Sequence, residues 1–265
     1  MNAFFQTEPF SRALMEALEY VAHGGADLAE CLHAAQTVAE GDYESWHLAW
    51  TALAERVRRC GARELAAGRT TTARGALLRA AHYYRVACRF CAPAESDPRL
   101  RTTRRASEAC FGTAMRLSAS ACQTVPLAPA DAGYLYRAEG DGSSDELRPR
   151  PTLLAVGGEG VTPLDLYFAC AVAATRHGWH CLAAATGDEH TLRRAALALP
   201  CVDPNRLASL TLSHLPDGDD SSDDGSGGAL GRFHRRLACW LDDEQSRDEG
   251  EKERRWHARL KLPFA

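Results

Sequence analysis

The chain has 265 residues, 45% of them hydrophobic, enough to build one large domain or two modest ones around a sizeable core. A fully disordered chain, a collagen-like repeat and a disulfide-stapled mini-protein are excluded. With 31 basic against 35 acidic residues the net charge is −4 and the pI about 6.2, so no footprint of a nucleic-acid or anionic-membrane binder is present. All but two of the basic residues are arginine, the exceptions being Lys252 and Lys261. With the abundant alanine, that skew reads as GC-rich coding rather than as phosphate contacts.

The 10 cysteines do not argue for secretion. The start, Met1 to Phe5, lacks a basic segment, and Glu8-Pro9 interrupts any apolar stretch, so no signal peptide is expected. No run approaches the roughly 18 apolar residues of a membrane span. Most cysteines stand where a small apolar residue would, as in Ala169-Cys170-Ala171, which reads as reduced core cysteine in a cytoplasmic protein. Cys88-Arg89-Phe90-Cys91 is a single C-x-x-C with no second pair at zinc-like spacing. No metal and no cofactor are expected.

Residues 10 to about 122 read as successive helices. Asp27 and Glu30 form a capping pair ahead of Cys31, Leu32 and Ala35. Behind the N-cap Asp42, Trp46, Trp50, Leu53 and Val57 recur at helical spacing. Gly68 closes that helix, and Thr70 to Thr72 are placed to cap the next, whose stripe is Leu77, Ala81, Tyr84 and Cys88. Asp97-Pro98 starts another, with Ala106, Cys110, Ala114 and Leu117 facing inward. No period of about 34 residues repeats, so a helical solenoid is not expected.

After Gln123 the pattern changes to short β-like runs. These are Gln123 to Leu127, Gly133 to Arg137, Thr152 to Val156, His180 to Ala184, Leu207 to Leu212 and Leu237 to Leu241. Leu153 to Val156 is continuously apolar, as in a strand covered on both faces. Pro163 to His177 reads as an amphipathic helix, completing a strand–helix–strand unit of a parallel sheet. Asp217 to Gly228 is nearly all Asp, Gly and Ser, a solvated loop, and Asp242 to Lys261 is a charged tail. The expected division is a helical domain over 1–122, an α/β core over 123–241 with the acidic loop 217–228, and a tail over 242–265.

Two stretches carry candidate chemistry. Gly157-Gly158-Glu159-Gly160 follows a buried strand and precedes a helix, where backbone N–H groups suit a phosphate or a developing oxyanion. It equally fits a tight turn, and the G-x-G-x-x-G spacing of a dinucleotide site is absent. Leu207 to Leu212 followed by Ser213 has the order of a nucleophile elbow: turn, buried strand, then Ser. The flanking positions that need glycine hold Thr211 and Leu215, so the elbow is degenerate, and an ordinary strand end is the competing reading.

The chain resembles the α/β-hydrolases with an N-terminal helical cap, the FrsA-like and 2,6-dihydroxypseudooxynicotine hydrolase group. Fungal hydrolases that shorten polyketide pigment precursors are part of that group. The matching stretches are Gly24 to Asp27, Gly41 to Trp46 with Ala49-Trp50, Leu78 to Arg85 and Asp97 to Arg99. Pro151 to Leu154 running into Gly157-Gly158, then Asp165 to Phe168, complete an order that holds from residue 4 to about 185. The resemblance implies Gly157 and Gly158 in an oxyanion loop, Ser213 at the nucleophile, and an ester or an activated ketone as substrate. His190, in the turn Thr186 to His190, is the nearest candidate base. Asp242, Asp243 and His257 have the residue types of a catalytic acid and base but fall in the polar tail.

The resulting expectation is an α/β protein with an incomplete α/β-hydrolase-type sheet and an N-terminal all-helical domain. It acts on a small molecule with weak or no activity, uses no nucleic acid or membrane partner, and could form a homo-oligomer. A non-catalytic binding or scaffold relative, or a fragment of a longer gene product, is the alternative. Cys239-Trp240-Leu241 would then be the exposed edge of a sheet that stops early.

Overall fold

The computed structural model describes residues 4–91, 97–118, 121–128, 131–138, 149–185, 187–212 and 229–246. The chain divides into two compact units, parting between Ser118 and Ala119.

The first unit is helical: α1 (Glu8–Glu19), α2 (Leu28–Ala35), α3 (Tyr43–Ala66), α4 (Thr70–Ala87) and α5 (Pro98–Arg116). Three of the five begin on an aspartate. Asp27, Asp42 and Asp97 accept from the amides of Glu30 (3.0 Å), Glu44 (2.9 Å) and Arg99 (2.9 Å). Gly68 follows α3 at φ +75°, as its place at a helix end requires. The threonines after it do not cap α4; Thr70 is already helical and the preceding residue is Arg69, with no side-chain cap. Trp46, Trp50, Tyr83 and Tyr84 are fully buried between α3 and α4, and the polar ends of all but Trp50 are hydrogen-bonded. Trp46 Nε1 donates to the Val86 carbonyl (2.9 Å), and Tyr83 Oη accepts from the Asp27 amide (2.8 Å) while donating to Glu30 (2.8 Å).

The second unit is a five-stranded mixed sheet in the order β1-β2-β4-β3-β5. Its strands are β1 (Cys122–Ala128), β2 (Asp131–Tyr136), β3 (Arg150–Gly157), β4 (His180–Ala184) and β5 (Val202–Leu212). β1 and β2 pair antiparallel with their neighbours, whereas β4, β3 and β5 are mutually parallel. From β3 the chain crosses to β4 through α6 (Pro163–Leu166) and α7 (Val172–Arg176). It then steps back past β3 to β5 through α8 (Glu189–Leu197). Right-handed crossovers in opposite directions put those helices on opposite faces. Leu154, Val156, Leu182, Ala184 and Leu207 pack on Leu192 and Ala196 of α8, and the alternating residues Leu153, Ala155, Cys181 and Ala183 serve the other face.

Two expectations are corrected here. Residues Leu237 to Leu241 are not a strand but the middle of α9 (Ala229–Ser246). Leu230, Phe233, Leu237 and Leu241, spaced three to four apart, are all buried, so this segment is no open sheet edge. The charged tail therefore begins inside a helix, and residues 247–265, like the acidic loop 217–228, lie outside the described residues. The helix read over Pro163 to His177 is present but interrupted by a π turn at Tyr167–Ala171. There the Phe168 carbonyl accepts from His234 Nε2 of α9 at 2.5 Å.

Candidate functional site

The three parallel strands end side by side. Val156 of β3 is in register with Ala184 of β4 and Thr211 of β5, and Gly157 is in register with Leu212. The carboxyl edge of such strands, where successive connections leave toward opposite faces, is the general location for ligand binding in an open α/β sheet.

Local backbone packing explains the glycines. A Cβ on Gly157 would stand 3.0 Å from Ala185 Cα and 3.2 Å from its carbonyl oxygen, so β3 ends against the exit of β4 in a space that fits glycine closely. The Gly158 amide donates to the Leu212 carbonyl (2.8 Å), extending the β3–β5 ladder by one bond. The turn closes when Val161 donates to the Gly158 carbonyl (3.2 Å), with Gly160 at φ +78°. Thr162 and Asp165 then start α6 as a reciprocal capping box. Asp165, only 1% exposed, accepts from the Thr162 amide (2.9 Å) and hydroxyl (2.8 Å).

On the neighbouring strand, Asp188 caps α8, accepting from the Thr191 amide at 2.8 Å. That bond and the Thr191 hydroxyl hold the Asp188 carboxyl below its usual range. His190 was expected in a turn; it stands in the first helical turn of α8 and is exposed. Its neighbour Glu189 accepts from the hydroxyl of Ser209 on β5 (2.8 Å), bridging the helix start to the strand that leads to Ser213. Among the described residues, no group of three or more His, Cys, Asp or Glu is placed to hold a metal, and no helix is long and apolar enough to cross a membrane.

No protein-family model matches the chain. The structure is similar to the crystal structure of 2,6-dihydroxy-pseudo-oxynicotine hydrolase, with a TM-score of 0.57 at 15% identity, over 73% of this chain and 57% of that one. In sequence it is 32% identical over 201 residues to hydrolyase poxO of Penicillium oxalicum, covering 73% of this chain and 47% of the relative. Hydrolase acrC of Aspergillus aculeatus is 32% identical over 215 residues, covering 75% and 50%. The chain belongs to the α/β-hydrolase family. This α/β-hydrolase chain spans about half the length of the curated relatives it matches.

Of the residues singled out from the sequence, the α/β-hydrolase sheet brings Gly157 and Gly158 to the carboxyl edge beside Leu212, with α8 and His190 starting at the same edge. Ser213 lies outside the described residues, as does His257. Asp242 is elsewhere. It accepts from His177 Nδ1 (2.8 Å), and His177 follows the last turn of α7, at the opposite, amino edge of the strands. Sequence reasoning missed the Ser209–Glu189 bridge and the role of Asp165. Only the second had a legible signal, the Thr162-x-x-Asp165 spacing of a capping box ahead of an apolar run.

Proposed function

We propose that the chain is an α/β-hydrolase that binds a small ester or activated ketone at the carboxyl edge of β4, β3 and β5 and hydrolyses it only weakly. The observation that supports this most is the juxtaposition of Gly157-Gly158 with Leu212, the residue before Ser213. In a competent site the Ser213 hydroxyl would add to the carbonyl carbon while a base took its proton. Amides of the turn after β3 would stabilise the oxyanion. Two features argue for weak turnover. The Gly158 amide is already committed to the Leu212 carbonyl, so the turn has fewer donors for an oxyanion. The histidine at this edge, His190, is solvent-exposed, and a serine hydroxyl needs a base held within about 3 Å.

The deciding experiment is labelling with a fluorophosphonate alongside hydrolysis of a short-chain activated ester. We expect no stoichiometric label. Hydrolysis should stay near the roughly 10³–10⁴-fold over water that binding and oxyanion donors supply without a working triad, and Ser213→Ala should change it little. Stoichiometric label at Ser213, lost in Ser213→Ala, would establish a fully active hydrolase instead. Absence of any saturable ester hydrolysis or ester binding would leave the scaffold reading.

A further inference from the structure

We propose that Cys88 and Cys91 of the helical unit form a reversible disulfide by exchange with a small disulfide such as oxidised glutathione. The geometry is that of a turn built to be bridged. α4 ends at Ala87; Cys88 caps it in helical geometry (φ −84°, ψ −1°), and the Cys91 amide donates to the Cys88 carbonyl at 3.1 Å. A turn closed from residue i+3 to residue i keeps its end Cα atoms within about 7 Å, overlapping the roughly 4.4–6.8 Å span of disulfides. Both thiols are only partly buried. Cys31, Cys110, Cys122, Cys170, Cys181 and Cys201, by contrast, are closed off in the cores.

The surroundings assign the roles. His47 Nδ1 lies 3.1 Å from the Ala87 carbonyl and 3.5 Å from Cys91 Sγ. A carbonyl can only accept, so Nδ1 carries the proton and donates it to Ala87, while the Cys91 thiol, which donates to the same carbonyl at 3.8 Å, lies beside the ring. Arg99, bonded to Asp97 (2.8 Å) and to Glu44, adds positive charge near Cys91 against those two carboxylates. Burial pushes the Cys88 thiol up to about 12, and Cys91 is also raised, chiefly by burial. With the His47 ring and the Arg99 charge beside it, Cys91 is assigned as the attacking thiol and Cys88 as the resolving one.

In the first step the Cys91 thiolate attacks one sulfur of oxidised glutathione. Its S–S bond breaks, and one glutathione thiolate leaves and takes up the proton that Cys91 lost. In the second step the Cys88 thiolate attacks the Cys91 sulfur of the mixed disulfide and expels the other glutathione. Two protein thiols are oxidised and one disulfide is reduced to two thiols. Because neither protein thiol is stabilised as a thiolate, the reduced pair has no advantage of the kind that makes a strong oxidant. The site is thus a latch that opens and closes with the surrounding thiol–disulfide balance rather than an oxidoreductase. It would clamp the turn carrying Phe90, which stacks on Phe10 (5.1 Å) and Tyr43 (4.8 Å) and meets Trp46 edge-on (5.2 Å).

The test equilibrates the full chain in glutathione buffers from reduced to oxidised, traps thiols by alkylation and maps tryptic peptides. Cleavage after Arg89 separates residues 86–89 from 90–99, so a Cys88–Cys91 bond leaves those peptides joined. We expect the joined species to become dominant as the buffer is oxidised, with little glutathione left on Cys91. In Cys88→Ser, glutathione on Cys91 should rise roughly tenfold over wild type, since nothing resolves it. Both cysteines staying alkylated in every buffer, or wild-type Cys91 holding glutathione beside an alkylated Cys88, would overturn the proposal. The wild-type measurement stands whether or not the variant folds.

Discussion

The backbone amide of Gly158 donates to the carbonyl of Leu212 across 2.8 Å, so the turn after β3 is fastened to the last described residue of β5. Both ends of the candidate site therefore belong to one hydrogen-bonded ladder. Any change at the β3 exit should be felt as stability before it is felt as specificity.

The first prediction concerns Gly157. A methyl group there would meet backbone atoms of Ala185 at 3.0 and 3.2 Å, and backbone of an adjacent strand cannot swing aside as a side chain does. Gly157→Ala should cost about 1–3 kcal/mol, the usual range for overpacking a close contact. Gly75, inside α4 with open space around its Cβ position, is the opposite case. There Gly→Ala should gain about 0.5–1 kcal/mol from reduced chain entropy. Urea denaturation of the two variants checks both signs, and a stable Gly157→Ala would show that β3 and β4 can part at this edge.

A second prediction follows from α9. Leu237 and Leu241 have no exposed surface, so truncating either removes packing that the helix depends on. Leu237→Ala is expected to cost about 2–5 kcal/mol. A loss below about 0.5 kcal/mol would mean that this helix does not dock through that stripe.

That segment also shows where the sequence could and could not be read. Leu153 to Val156 was legible as a doubly covered strand because every residue in it is apolar, and all four are buried. Leu237 to Leu241 looks like a strand only when seen alone. A short apolar run has no periodicity to separate helix from strand, whereas the stripe from Leu230 onward has helical spacing. The π turn at Tyr167–Ala171 was not legible at all, because a carbonyl within it is met by His234, 66 residues away. At the site, the glycines of the turn were readable from composition. The commitment of the Gly158 amide was not, since it depends on how β5 registers against β3.

The third prediction is a dependence of stability on pH. Burial pushes the imidazole of His180 down to about 4, with the positive charges of Arg150 and Arg137 adding to the effect. Its Nδ1 accepts from the Ala138 amide at 2.9 Å, which requires the neutral ring. In the helical unit His82, stacked on Tyr20 with centroids 3.9 Å apart, is pushed down to about 3, again by burial first. A folded-state value below the unfolded one of about 6.5 means that the unfolded chain binds more protons in between. Each histidine's contribution is thus complete above about 6.5 and fades as pH falls toward about 4 or 3. For His180 the full loss is about 3 kcal/mol. Peptide-resolved hydrogen exchange at pH values across this window reads the two units separately. Protection of β4 that stays constant down to pH of about 4 would contradict the buried neutral His180.

The last prediction separates Asp242 from the reaction. Its residue type suits a catalytic acid, but its partner is His177, immediately after α7 and just before β4 begins. The candidate site lies where β4 ends. Five residues of strand at about 3.3 Å each put the pair more than about 13 Å from that edge, beyond direct contact with a substrate held there. The pair joins a half-buried imidazole to a 59% exposed carboxylate just past the end of α7. Asp242→Asn should therefore lower stability by less than about 1 kcal/mol. Ester turnover and binding, measured on the same preparation, should be unchanged. A loss of turnover at constant stability would mean that Asp242 reaches the carboxyl edge in the working protein, and the proposed location of the site would have to move.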